Sequence, residues 1–309
     1  MEEITLTDLE GLFVGHAEDL AAKTGCTAIL APGGVTASAV NPGFAPGSRE
    51  TDLLKPENAV QQIHGVCLSG GSAMGLAAAS GVARFLLQSG CGFDAGFLKV
   101  PIVPAAVIFD YPGNRSLGCL PDERMGFEAA KNASRDPVRS GSFGVGLSAS
   151  SGKIGGTDLS SPSGLGSFGV RTKGLEIACL AVVNSLGSVV EPETGQIISG
   201  LRRSDGSLAD RAEILETIWK ASQNASSFPG HTVLAVIAVN SRLSKLETWR
   251  LAKMASVGLT RAIYPAHLLL DGDTVFALST GIGPEADPSW LGALAADVVS
   301  EAIMRSVAR

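Results

Sequence analysis

Histidine is scarce in this chain, four in 309 residues, and the five cysteines (Cys26, Cys67, Cys91, Cys119 and Cys179) lie far apart with no Cys-x-x-Cys pair. That combination excludes a cysteine–histidine zinc site as the default reading and leaves buried free thiols in a reducing cytoplasm. Charged residues are few (17%) and aromatics fewer (5%). A net charge of -6 argues against DNA, RNA or an anionic membrane surface as partner. Long uninterrupted apolar runs are also missing. The most apolar window, Val66 to Leu87, is broken by Gly and Ser and carries Arg84, so no membrane span is expected. The start, Met1-Glu2-Glu3-Ile4, is acidic and lacks an apolar h-region, so no signal peptide is expected either.

What is present is a compact, apolar, glycine-rich composition: 45% hydrophobic residues and 38 glycines, with a mean hydropathy of +0.26. No internal repeat and no linker separates the chain into parts, so a single domain over 1–309 is expected. Leu12–His16 and Thr24–Leu30 read as strand, and Val35–Val40 as a hairpin partner across the Ala31-Pro32-Gly33-Gly34 turn. Val60–Leu68 is strand-like, followed by Ser69-Gly70-Gly71-Ser72 and a helical pattern over Leu76–Leu87. Val100–Asp110 reads as a strand interrupted by two prolines, and Asp122–Ala133 as a helix. A Gly/Ser-rich stretch, Ser140–Gly166, reads as tight turns between strands. Ser167–Lys173 and Glu176–Asn184 form a hairpin pattern, and Ser207–Ser222 a helix. Pro229-Gly230 then turns the chain into the buried strand Thr232–Val239. Ser244–Tyr264 is an amphipathic helix, Val275–Leu278 a strand, and Pro288–Arg309 a closing helix. Antiparallel groups of strands with long helices between them indicate an α+β layered fold.

Five polar residues stand out against this background. Thr232 opens a run that otherwise looks like pure core; an ordinary β-favouring residue and a nucleophile are both open readings. Asn184 ends the apolar run Ile177–Val183, as a turn residue or as a fixed amide donor for an oxyanion. Lys153 sits among glycines, where a solvated loop lysine is the default. Asp271 and Asp273 flank Gly272 before a strand, and a plain turn accounts for them. The Ser69–Ser72 glycines could cradle an anion, although the Lys-Ser/Thr of a P-loop is lacking and a structural turn fits better.

The order of short motifs supplies what the single residues do not. Gly15-His16-Ala17-Glu18-Asp19, Thr24-Gly25-Cys26-Thr27, Pro46-Gly47-Ser48-Arg49-Glu50-Thr51-Asp52, Leu68-Ser69-Gly70-Gly71-Ser72-Ala73-Met74-Gly75-Leu76 and Val100-Pro101-Ile102-Val103-Pro104 follow one another, then Gly152-Lys153-Ile154, Val183-Asn184 and Thr232. The series resembles the self-processing family of L-aminopeptidase/D-esterases, β-aminopeptidases and nylon-oligomer endohydrolases. The resemblance implies an αββα four-layer sandwich like that of N-terminal-nucleophile hydrolases. It implies self-cleavage between His231 and Thr232 into 1–231 and 232–309, with Thr232 as nucleophile, Asn184 as oxyanion amide, Lys153 as active-site lysine and Asp271/Asp273 as an assisting acidic pair. The implied activity is hydrolysis of small peptides or non-peptide amides such as ω-amino-acid oligomers, by a cytoplasmic homo-oligomer (a tetramer of processed units) without metal or cofactor. Acyl transfer of the ornithine-acetyltransferase type and a non-catalytic, degenerate binding member are the alternatives. Two departures are visible. His231 stands where familiar members have Asn, Gly or another small residue. Asp110-Tyr111-Pro112-Gly113-Asn114 lacks the Glu-rich pattern that holds a free substrate amine in the aminopeptidase branch, and so looks more like the nylon-hydrolase branch.

Overall fold

The computed structural model describes residues 1–110, 120–223 and 231–307. Cys119, Tyr111–Asn114 and Pro229-Gly230, all used in the sequence reading, lie outside the described residues. The principal strands are β1 (Phe13–Asp19), β2 (Thr24–Val40), β3 (Gln62–Ser69), β4 (Ala105–Val107), β5 (Leu165–Thr172), β6 (Leu175–Asn184), β7 (Thr232–Val239) and β8 (Thr274–Ser279). The principal helices are α1 (Ala78–Gln88), α2 (Glu123–Lys131), α3 (Arg211–Gln223), α4 (Lys245–Ala255), α5 (Val257–Ala262) and α6 (Pro288–Arg305).

The strands run β5-β6-β7-β8-β2-β3-β4, with β1 alongside β2; β7 is parallel to β8 and β3 to β4, and the other neighbours are antiparallel. Side-chain alternation divides this ladder into two packed sheets. On β6, β7 and β8, Leu180, Val182, Leu234, Val236, Phe276 and Leu278 face Ile29, Val66 and Leu68 of β2 and β3 across a shared core. The alternate residues, among them Cys179, Val233, Ile237 and Val275, pack on Leu251, Leu259 and Val299 of α4, α5 and α6. The outer face of the second sheet, with Cys26, Ala28 and Cys67, is covered by Val82 and Leu86 of α1 and Ala129 of α2. The layers are therefore helix, sheet, sheet, helix. β7 is buried at all eight positions, and each of its large aliphatic side chains contributes about 1.5–3 kcal/mol by leaving water.

The hairpin expected across Ala31–Gly34 does not form. Thr24–Val40 is one strand of 17 residues that carries the chain from one sheet to the other. The register with β3 shifts between Leu30 and Val35, so the intervening residues have no ladder partner. A proline is tolerated there because its missing N–H has no bond to make. Two other elements differ in extent. Of Val100–Asp110 only Ala105–Val107 continues the main sheet, and Ser244–Tyr264 is two helices that meet at Ser256 and end in a two-residue strand.

Candidate active site

Topology brings three strand ends together. β7 and β8 are parallel, so their first residues are neighbours; β6 is antiparallel to β7, so its last residue lies at the same end. The register pairs Asn184 with Thr232, and Leu234 with Thr274. Asp271–Asp273 therefore sit beside the start of β7, and the parallel ladder extends one more rung as a bridge between His231 and Asp271. Thr232 and Asn184 share the face of Leu234 and Val182, which is the seam between the two sheets.

Thr232 is buried, and its Oγ1 donates to the His231 carbonyl at 2.6 Å. That same oxygen accepts the Gly272 N–H at 2.8 Å. A Cβ on residue 272 would stand 2.6 Å from Thr232 Oγ1 and 2.9 Å from the Ala45 carbonyl, so only glycine fits this position without displacement. Asp273 is also buried. Its Oδ1 accepts the Val233 N–H at 2.7 Å, and its Oδ2 pairs with His267 Nδ1 at 2.8 Å. Asp271 accepts the Leu268 N–H on Oδ2 at 2.6 Å, while its Oδ1 has no hydrogen-bond partner among the described residues. Burial, and then the neighbouring Asp273, push the Asp271 carboxyl up to about 7. The His231 imidazole is held down to about 3, first by burial and then by Lys153.

Lys153 is not the solvated loop lysine its glycine-rich setting suggests; it is 5% exposed. Gly152 takes a left-handed φ of 77° where a Cβ would overlap the Leu201 nitrogen at 1.9 Å, and a 3-10 turn, Lys153–Gly155, then directs the lysine inward. Its Nζ donates to Asn184 Oδ1 and, at 3.4 Å, to the Asn184 carbonyl. Burial lowers the amine to about 7, against a smaller opposing pull from Asp110. Asn184 Oδ1 also accepts the Ser150 N–H at 3.3 Å, and its Nδ2 donates to the Phe109 carbonyl at 2.9 Å, which fixes the orientation of the amide. Lys153, Asn184, Asp110, Phe109 and Leu147 line a cavity of about 570 Å³. Thr232 is not among the residues that line it. A larger hollow of about 840 Å³ beside His64 and Phe93 contains none of these groups.

The structure thus gathers Thr232, Asn184 and Lys153 on one side and Thr232, Asp271 and Asp273 on the other. Ser69–Ser72 is not an anion cradle: the amides of Gly70, Gly71 and Ser72 bond Gly25 O, Asp110 Oδ1 and Ile108 O at 2.9, 2.7 and 3.0 Å. Asp110 closes that turn, accepting Thr24 Oγ1 at 2.6 Å as well. Sequence reasoning missed His267, Asp110 and Gly272. His267 has an unusual left-handed φ of 57° for a non-glycine residue, a feature no sequence motif announces.

The family model for Peptidase family S58 matches residues 5–309. An uncharacterized aminopeptidase of Mycobacterium tuberculosis is 39% identical over 333 residues, covering 98% of this chain and 93% of the relative. A 6-aminohexanoate-oligomer endohydrolase of Kocuria sp. is 28% identical, covering 97% and 84%. Among solved structures, the L-aminopeptidase D-Ala-esterase/amidase of Ochrobactrum anthropi, described as a variant of the Ntn-hydrolase fold, superposes with a TM-score of 0.69 at 19% identity, covering 98% of this chain and 85% of that one. A β-aminopeptidase of Burkholderia sp. gives 0.64 at 18% identity, covering 98% and 85%. The four layers described above are this Ntn-hydrolase variant, and the chain belongs to peptidase family S58, as a hydrolase of peptide or amide bonds.

Proposed function

We propose that the chain cleaves itself between His231 and Thr232 and then uses the freed Thr232 as nucleophile on small peptides or non-peptide amides such as ω-amino-acid oligomers. The observation that carries this reading is the register pair Asn184–Thr232 at the sheet end, with buried Lys153 bonded to Asn184 on the wall of a cavity. In the uncleaved chain the nucleophile lies outside that cavity, and its hydroxyl is bonded to the carbonyl it must attack. Rotation of Oγ1 toward the carbonyl carbon begins the step.

In self-cleavage, the Thr232 Oγ–C bond forms and the carbonyl π pair moves to oxygen. The Oγ proton ends on the departing Thr232 nitrogen as the C–N bond breaks, and Lys153 serves the later turnover, orienting the freed amine or hydroxyl. Water then hydrolyses the ester, leaving a His231 carboxylate and restoring the hydroxyl, so one water is consumed. The new α-amino group, with an ordinary pKa of about 7.7–8.0, serves as general base to its own hydroxyl. In turnover Oγ attacks the substrate carbonyl, the amine leaves protonated, and water releases the acid. Asn184 donates to the oxyanion of that step, an effect worth on the order of 3–4 kcal/mol. Asp271 and Asp273 steady the charge around the new terminus.

The reading extends to a homotetramer of processed units in the cytoplasm. A net charge of -6 supports a small-molecule substrate over nucleic acid or an anionic membrane surface. The test is a panel of short peptides and ω-amino-acid amides assayed with wild type and Thr232→Ala. Amide hydrolysis by wild type and none by the variant is expected; equal activity of the two would refute the nucleophile.

A further inference from the structure

Self-cleavage and turnover each develop a negative oxygen, and the two oxygens need not occupy the same place. We propose that the main-chain N–H of Gly272 is the oxyanion donor for cleavage of the His231–Thr232 bond, while Asn184 serves the oxyanion of turnover. The inference rests on the self-processing reading above and divides its chemistry between two donors.

The Gly272 N–H already donates to the scissile carbonyl oxygen at 2.8 Å, the atom on which the charge will develop. It is set there by the sheet itself, since His231 and Asp271 form the last parallel rung before β7 and β8. The donor is therefore in place before reaction and needs no reorganisation. The Asn184 amide spends one of its two Nδ2 hydrogens on Phe109 O, on the cavity side, which leaves the second for a substrate oxygen. Its Oδ1 accepts from Lys153 and Ser150. No bond from Asn184 to the His231 carbonyl is present among the described residues, and its side chain lines the cavity instead.

The lack of a side chain at 272 is part of the same device. Thr232 Oγ1 must turn from the carbonyl oxygen, 2.6 Å away, toward the carbonyl carbon. A methyl on residue 272 would stand 2.6 Å from that hydroxyl in its resting position. When Oγ–C forms, the π pair that collapses onto the His231 oxygen is met by the Gly272 N–H. When C–N breaks and the ester is hydrolysed, the oxygen leaves with the His231 carboxylate. Turnover then places a different carbonyl, the substrate's, on the cavity side at Asn184.

The experiment compares full-length Gly272→Ala and Asn184→Ala with wild type, following the appearance of the 232–309 fragment and the amide hydrolysis per cleaved chain. Gly272→Ala keeps the main-chain N–H, but its Cβ, 2.6 Å from Thr232 Oγ1 and 2.9 Å from the Ala45 carbonyl, must push that N–H off the His231 carbonyl; fragment formation is expected to slow about 10²–10³-fold, with a loss below about tenfold per cleaved chain. Asn184→Ala is expected to do the reverse: cleavage within about tenfold of wild type, turnover down about 10²–10³-fold. Wild-type-like cleavage by Gly272→Ala would overturn the assignment. Equal loss of both steps in Asn184→Ala would also overturn it, and that variant decides the matter alone if Gly272→Ala does not accumulate folded. A wild-type chain that never cleaves would instead refute self-processing itself.

Discussion

The two flanks of the His231–Thr232 bond are built from different materials. The cavity flank uses side chains carried on connecting segments: Lys153 from a 3-10 turn and Asn184 at a strand end, each bonded to the other. The turn flank uses sheet register: a main-chain N–H at Gly272 and a carboxylate at Asp273 that grips the Val233 N–H. Side chains that reach into a cavity can meet a succession of substrates. A donor fixed by a ladder can meet only the one carbonyl the fold presents to it. On the proposed mechanism, the division separates a flank for repeated turnover from a flank for an event that happens once.

The largest expected effect removes what both flanks share. Thr232→Ala should yield no 232–309 fragment on a denaturing gel and lose on the order of 10⁴-fold or more in amide hydrolysis. Next, Lys153→Met strikes the cavity flank. The wild-type turnover rate should climb as pH rises through about 7, where the buried amine gives up its proton, ahead of the α-amino base at about 7.7–8.0; the variant should keep only the later rise and lose about 10²–10³-fold in rate. A pH–rate profile unchanged in the variant would assign the limb to another group. A smaller effect belongs to the turn flank. His267→Ala deprives Asp273 of its 2.8 Å partner and should slow fragment formation by about tenfold, the order of one lost hydrogen bond to a charged group, while His267→Asn, which keeps a donor near Nδ1, restores most of it.

The smallest effect is on stability. Asp271 holds its proton more tightly when folded, about 7 against an ordinary 3.8. Its stabilising contribution is therefore full below about 3.8 and is lost as pH rises through about 7. In a Thr232→Ala background, Asp271→Asn should flatten the decline of Tm between about pH 4 and about pH 8. Lys153 has the opposite sign. Its contribution is present above 10.5 and lost as pH falls through about 7, so Lys153→Met should flatten the alkaline limb instead.

The flanks also differ in how far they can be read from sequence. Thr232 and Asn184 were visible because each interrupts the edge of an apolar run, and a buried strand carries that contrast in its residue types. The motif order then pointed to the family. Lys153 was visible as a residue but not as a buried one, because its inward turn depends on Gly152 lying against Leu201, a contact between segments far apart in the chain. The turn flank was nearly silent. A main-chain N–H leaves no mark on residue identity beyond the glycine, and Asp271-Gly272-Asp273 reads as an ordinary turn. His267 belongs to a loop, and its link to Asp273 depends on local backbone shape. The strand β2 failed in the other direction: Pro32-Gly33-Gly34 is a strong turn signal, and the shifted register at that point absorbed it as an irregularity within one strand.

All of these expectations depend on Thr232 working as a chain terminus. The most direct measurement is mass spectrometry of the wild-type enzyme, acid-quenched during turnover of an activated ester or amide and separated under denaturing conditions. Two fragments are expected, 1–231 and 232–309, with the acyl mass added to the second and mapped to its first residue. An uncleaved chain that still turns over substrate, or an acyl group on any other residue, would contradict it.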